Sequence, residues 1–93
     1  MYSLTIHAIL DKILNKLQHK NSKQYIIISN KVHEILNNPY HDYKNLKKPL
    51  QKYKRVHIDK NYVLIFRVNH TTQEVILEHY DHHDYVYQWR PKE

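Results

Sequence analysis

Lys54-Arg55-Val56-His57-Ile58, Tyr62-Val63-Leu64-Ile65-Phe66-Arg67-Val68 and Glu74-Val75-Ile76-Leu77-Glu78-His79-Tyr80 follow one another with only short polar breaks. In the first run Val56 and Ile58 alternate with Arg55, His57 and Asp59, the period of two that marks a strand with one buried face. The second run is apolar almost throughout, as a central strand is, with Tyr62, Leu64, Phe66 and Val68 on one face and Val63, Ile65 and Arg67 on the other. Asp59-Lys60-Asn61 and Asn69-His70-Thr71-Thr72 supply turn residues, so the three runs predict a β-meander.

Upstream the period changes. From about His7 to His19, Leu10, Ile13, Leu14 and Leu17 keep helical spacing, with Asp11, Lys12, Lys16 and Lys20 outside. Asn21 and Ser22 break this helix and cap a second one. The second carries Tyr25, Ile28, Val32, Ile35 and Leu36 on one stripe and stops near Asn37-Asn38-Pro39. Ile26-Ile27-Ile28 has strand propensity, but the 3.6 period around it persists for four turns and argues helix. Tyr2 to Ile6 can form a short strand. The expected architecture is α+β: an N-terminal strand and an antiparallel helical hairpin packed on one face of a twisted antiparallel β-meander. The other face is expected to be uncovered, and the structure of the tail, Asp81 to Glu93, is left open.

Length and composition narrow the function. Ninety-three residues predict one domain, 1–93, with a modest core. With 41% hydrophobic and 26% charged residues the balance is globular rather than disordered. No apolar run approaches membrane-span length, and Met1-Tyr2-Ser3-Leu4 does not open a secretory signal, so a cytoplasmic protein without a membrane partner is expected. The absence of cysteine excludes disulfides, thiolate metal sites and cysteine nucleophiles, and the absence of glycine excludes phosphate-cradling Gly-rich loops.

The formal charge of +6 is unevenly spread. Residues 39–60 hold seven Lys/Arg against two acids, whereas residues 61–93 hold three against five. In this basic middle, Lys44, Lys47, Lys48, Lys52, Lys54, Arg55 and Lys60 are interleaved with Tyr40, Tyr43 and Tyr53. Lysines bind phosphates and aromatic rings stack on bases, which suits single-stranded nucleic acid; a solvated loop whose tyrosines cover the core is the alternative. If Val56 and Ile58 face the helices, Arg55 and His57 point from the other side. Downstream, Tyr80-Asp81-His82-His83-Asp84-Tyr85-Val86-Tyr87 crowds imidazoles, carboxylates and phenols together. RNA cleavage needs a base for the 2′-hydroxyl, cations for phosphorane charge and an acid for the leaving oxygen, and these residue types supply all three.

The order of strand, helical hairpin, basic loop, meander and a His-x-Asp-x-x-Tyr tail resembles the RelE/ParE superfamily of toxins. The resemblance is to RelE-type mRNA interferases, including the histidine-rich branch typified by YafQ. It is carried by Leu46-Lys47-Lys48-Pro49-Leu50-Gln51-Lys52-Tyr53-Lys54-Arg55-Val56-His57-Ile58, by Asn61 to Val68 and by His82-His83-Asp84-Tyr85-Val86-Tyr87. It implies the toxin of a toxin–antitoxin pair, cutting translated mRNA on the ribosome and held by a cognate antitoxin; no cofactor is expected. By position it implies catalytic roles for Arg55, His57, His82 and Tyr87. Arg67 is added to this set as a candidate, Lys44, Lys47, Lys48 and Lys54 of the basic middle are the candidate RNA contacts, and Asp84 can orient an imidazole. Val63 stands where RelE-type enzymes have a strand arginine, and Asn61 where the YafQ branch has an aspartate. Arg67 shares the face of Val63 about 13 Å along the strand and is the candidate substitute. The alternative function is a non-catalytic binding module, either a ParE-like inhibitor or an inactive toxin that only binds its antitoxin. His79, His82 and His83 with Asp81 and Asp84 also carry enough donors for Zn²⁺, but adjacent His82 and His83 are expected to diverge, so no metal is assigned.

Overall fold

The computed structural model describes residues 2–91. The elements are β1 (Ser3–Ile6), α1 (Ala8–Lys20), α2 (Ser22–Asn37), β2 (Lys44–Asn45), β3 (Lys54–Ile58), β4 (Tyr62–Asn69), β5 (Glu74–His82) and α3 (His83–Val86). The five strands form one sheet in the order β1-β5-β4-β3-β2. The meander β3-β4-β5 is antiparallel, as its alternation predicts, while β1 pairs parallel with β5. The sheet is therefore mixed.

A single residue builds the helical hairpin. The Asn21 N–H closes α1 on the Leu17 carbonyl, and its side chain accepts the Gln24 N–H at 3.2 Å to cap α2. With one residue between them, the two helices fold back as a hairpin and pack on each other. Their inward residues, Leu10 and Leu14 against Ile28, Val32 and Ile35, pack on Ile58, Leu64, Phe66, Val75, Leu77 and Tyr80. Gln24 is the one buried polar residue among those described. Its Nε2 donates to the Tyr80 hydroxyl at 2.7 Å, so the amide enters the core already paired.

The face expected to be bare is covered. Val63, Ile65 and Val86 are fully buried together with Leu46 and Tyr53, and Leu50 and Trp89 pack on the rim. A four-residue helix is unstable alone. Here α3 is held by the burial of Val86 and by His82, whose ring accepts the Asp84 N–H. Burying an aliphatic side chain of this size contributes about 1.5–3 kcal/mol.

One irregularity sets the aim of β5. Ile65 faces His79 but Phe66 faces Leu77, so Glu78 is an extra residue in the ladder. This bulge lets Leu77 and Tyr80, three positions apart, both point toward the helices. It also brings the Glu78 carboxylate to Arg67 Nε at 2.6 Å.

Candidate nucleic-acid interface

Alternation and pairing place the candidate side chains. Val56 faces Leu64 and Ile58 faces Tyr62 on the helix side, while Arg55 faces Ile65 and His57 faces Val63 on the other. Val63 in turn faces Asp81, so Arg55 and His57 lie on the side crossed by α3. Val86 plugs that side, and the chain beyond it brings Tyr87 under the Arg55 guanidinium, 5.8 Å from ring centroid to Cζ.

Arg55 is the wall between two grooves. On the tail side, a space of about 540 Å³ opens between the loop carrying Lys47 and Lys48 and the tail carrying Tyr87 and Arg90. Its floor is apolar, formed by Leu46, Leu50, Val86 and Trp89. On the α2 side, about 550 Å³ is bounded by Lys31 and Glu34 of α2, His41, Lys44, and Arg55 and His57 of β3. His57 thus lines the groove on one side of Arg55 and Tyr87 the groove on the other. Lys44 is the direct cross-strand partner of Arg55. Glu34 is tied to Lys31 at 2.7 Å, and that ammonium holds its carboxyl below the usual range.

The remaining sequence candidates are dispersed. His82 is the cross-strand partner of Tyr62 and packs edge-on against its ring, on the helix side of the sheet and away from His57. Arg67 is ion-paired with Glu78 and lines, with His79 and Trp89, a third groove of about 330 Å³ that Arg55 does not line. Lys54 faces Phe66 on the helix side and reaches the Tyr43 carbonyl at 3.5 Å. Asp84 lies 3.4 Å from His82 Nδ1 and 3.3 Å from His83 Nε2, beside the tail imidazoles. The expectation that His82 and His83 diverge is corrected by their ring centroids, which are 4.5 Å apart. The two rings and Asp84 converge because the tight turn into α3 folds the strand end back on itself, and their donor atoms lie within 4.8 Å of one another. His83 is further anchored through Nδ1 to the Asn61 carbonyl at 3.1 Å.

Burial perturbs one imidazole near this interface. His79, stacked on Trp89, is pushed below its usual value by desolvation, against a smaller opposing pull from Asp81 at 3.7 Å. Sequence reasoning missed Lys31, His41, Trp89 and Arg90. The signal for Trp89 was its three-residue spacing from Val86, one turn of an amphipathic segment. Lys31 and His41 come from elements remote in sequence, and no local pattern marks them.

A two-helix layer over one face of a mixed sheet, with a short terminal helix sealing the other beside a basic groove, defines a RelE-like α+β toxin fold. No family model matches the chain. A protein of Methanosarcina mazei with no described function is 53% identical over 87 residues, covering 94% of this chain and all of that protein. RelE4 of Methanocaldococcus jannaschii, which carries a toxin designation, is 48% identical over 87 residues, covering 94% of this chain and 92% of its own. Among solved structures, YoeB in the YoeB–YefM complex from Staphylococcus aureus superposes with a TM-score of 0.74 at 17% identity, over 89% of this chain and 98% of the other. YafQ from Escherichia coli gives 0.72 at 14% identity, over 94% and 99%. The chain belongs to the RelE/ParE superfamily of toxins. No helix among the described residues is long and apolar enough to cross a membrane.

Proposed function

We propose that this protein is the toxin of a toxin–antitoxin pair and an mRNA endoribonuclease that cuts translated message on the ribosome. The observation that carries this reading is the placement of a base candidate and an acid candidate on opposite sides of one arginine. His57 lies to one side of Arg55 and Tyr87 to the other, with Lys47 and Lys48 on the adjoining loop.

With a phosphodiester at Arg55, His57 takes the 2′-hydroxyl proton and the 2′-oxygen attacks phosphorus. Tyr87 gives its proton to the departing 5′-oxygen, leaving a 2′,3′-cyclic phosphate. The guanidinium stabilises charge on the equatorial oxygens of the phosphorane. Apical attack and departure need base and acid on opposite sides of phosphorus, which suits Tyr87 and does not suit His82 on the far face. The chemistry draws on this chain's own side chains and assigns no role to a cofactor.

The partner we propose is an acidic, partly helical antitoxin that covers the basic face around Arg55; the Staphylococcus aureus neighbour is described in complex with YefM. The test is expression of the chain alone in growing cells, with message 5′ ends mapped. Growth arrest with cuts positioned within codons is expected for wild type and absent for His57→Ala. High-level expression with neither arrest nor cuts overturns the reading in favour of a non-catalytic binding module.

A further inference from the structure

The chemistry above uses only one corner of the groove on the α2 side. That groove exists because β2 is two residues long and pairs only with Lys54 and Arg55, which leaves the β3 edge open beyond them. Its volume of about 550 Å³ lies in the range of small-ligand sites. It is lined by Lys31, Lys44 and Arg55 and by His41 and His57. Its single carboxylate, Glu34, is already engaged by Lys31 at 2.7 Å.

The two sides of Arg55 therefore differ in kind. Both sides carry cations, but the tail side adds an apolar and aromatic floor, while the α2 side is lined mostly by polar and charged residues. Single-stranded nucleic acid asks for both, flat surfaces for bases and a basic track for the backbone. We infer that the α2-side groove is a second phosphate subsite for single-stranded RNA. Lys44 and His41 grip the phosphate next along the strand from the one at Arg55, and the tail-side groove receives a base. Lys44 sits directly across the ladder from Arg55, with Cα atoms about 4.5–5.5 Å apart, so the two cations address neighbouring points on one backbone. Glu34 acts as a built-in competitor, since it occupies Lys31 and repels an incoming phosphate.

The inference rests on the endonuclease reading for the identity of its ligand. Its test does not depend on cleavage. A fluorescein-labelled single-stranded RNA, 2′-O-methylated at every ribose so that no 2′-hydroxyl can attack, is titrated with the full chain between 50 and 200 mM salt (about a twofold range of screening length). The variants are His41→Ala with Lys44→Ala, Glu34→Gln, Arg55→Ala, and Lys12→Ala on the exposed side of α1 as a control.

The subsite predicts that the double variant binds several-fold more weakly. The slope of log affinity against log salt should become shallower by about 0.7 for each phosphate that is no longer neutralised. Glu34→Gln should bind more tightly, because Lys31 is freed and a repelling charge is gone, and Lys12→Ala should match wild type. A role for Glu34 confined to holding α2 together would leave RNA affinity unchanged. Wild-type affinity and slope in the double variant, or no tightening in Glu34→Gln, overturns the subsite. If Arg55→Ala still abolishes cleavage of unmodified message, the endonuclease reading stands without it. Salt-dependent binding through the groove with no cleavage on ribosomes overturns the endonuclease and keeps the subsite. Failure of wild type to bind at 50 mM salt (where screening is weak, with a Debye length of roughly 14 Å) overturns the subsite outright.

Discussion

Tyr87 offers a perturbation in which two physical effects separate cleanly. Its ring lies 5.8 Å from the Arg55 guanidinium, and its hydroxyl is the proposed acid. An exposed cation–π contact is worth about 0.5–1 kcal/mol, roughly a two- to fivefold effect. Loss of a general acid costs about 10²–10⁴ in rate. Tyr87→Phe keeps the ring and removes the hydroxyl, whereas Tyr87→Ala removes both. The tyrosine is half exposed and the burial that docks α3 belongs to Val86, so neither fold nor melting temperature should change appreciably. Single-turnover cleavage on programmed ribosomes, read by primer extension, should show Phe slower than wild type by about 10²-fold or more. Ala should be slower again by only a further two- to fivefold. Wild-type cleavage by the Phe variant would refute the acid assignment. If Ala then lost activity, the ring would matter only as a support for Arg55.

Val86→Ala should destabilise by about 1–3 kcal/mol in urea or thermal unfolding, because a fully buried side chain is cut from the small second core. Gln24→Leu leaves the buried Tyr80 hydroxyl without its 2.7 Å partner and should cost about 1–3 kcal/mol. Adding Tyr80→Phe should recover part of that loss, as a double-mutant cycle would show. Burial depresses the folded-state titration of His79 below its ordinary 6.5, so between those two values the unfolded chain binds more protons. Stability should accordingly decline as pH falls below about 6.5 and level off once the folded imidazole also charges. His79→Gln should flatten this acid limb when melting temperature is plotted against pH.

Periodicity made the layers readable. Val56 and Ile58 against Arg55 and His57 fixed which face of β3 meets the helices, and the pairing with Leu64, Tyr62, Ile65 and Val63 bears this out. The helical stripe through Ile28, Val32 and Ile35 outweighed the strand propensity of Ile26-Ile27-Ile28, and Ile26 is the exposed one of the three. The second core was not readable, because its cover comes from two places far apart in sequence. Leu46, Leu50 and Tyr53 descend from the basic loop and Val86 and Trp89 from the tail, and neither segment has enough length to show a period. Nor does parallel pairing of β1 with β5 leave a local signature, since nothing in Ser3 to Ile6 specifies its neighbour.

The site shows the same division between local and remote information. Alternation alone places Arg55 and His57 on the face away from the helices, so the position of these two candidates was legible. Alternation also misleads at β5, where the bulge at Glu78 shifts the register by one residue. That shift puts His82 opposite Tyr62 on the helix side, and it gives Arg67 a carboxylate partner that no pattern in β4 announces. The consequence is electrostatic. Val63 is buried where a strand arginine would stand in RelE-type relatives, and Arg67 is neutralised by Glu78 in a separate groove. Arg55 is then the strand cation left to face a phosphate from β3 or β4. Lys44, Lys47, Lys48 and Arg90, which line the grooves on its two sides, supply the surrounding positive potential instead. On the proposed endonuclease reading, a site built this way would concentrate transition-state stabilisation in one guanidinium and spread ground-state binding over several exposed ammonium groups. Substitution of Arg55 should therefore depress the cleavage step, while substitution of any one lysine should mainly weaken binding and its salt dependence.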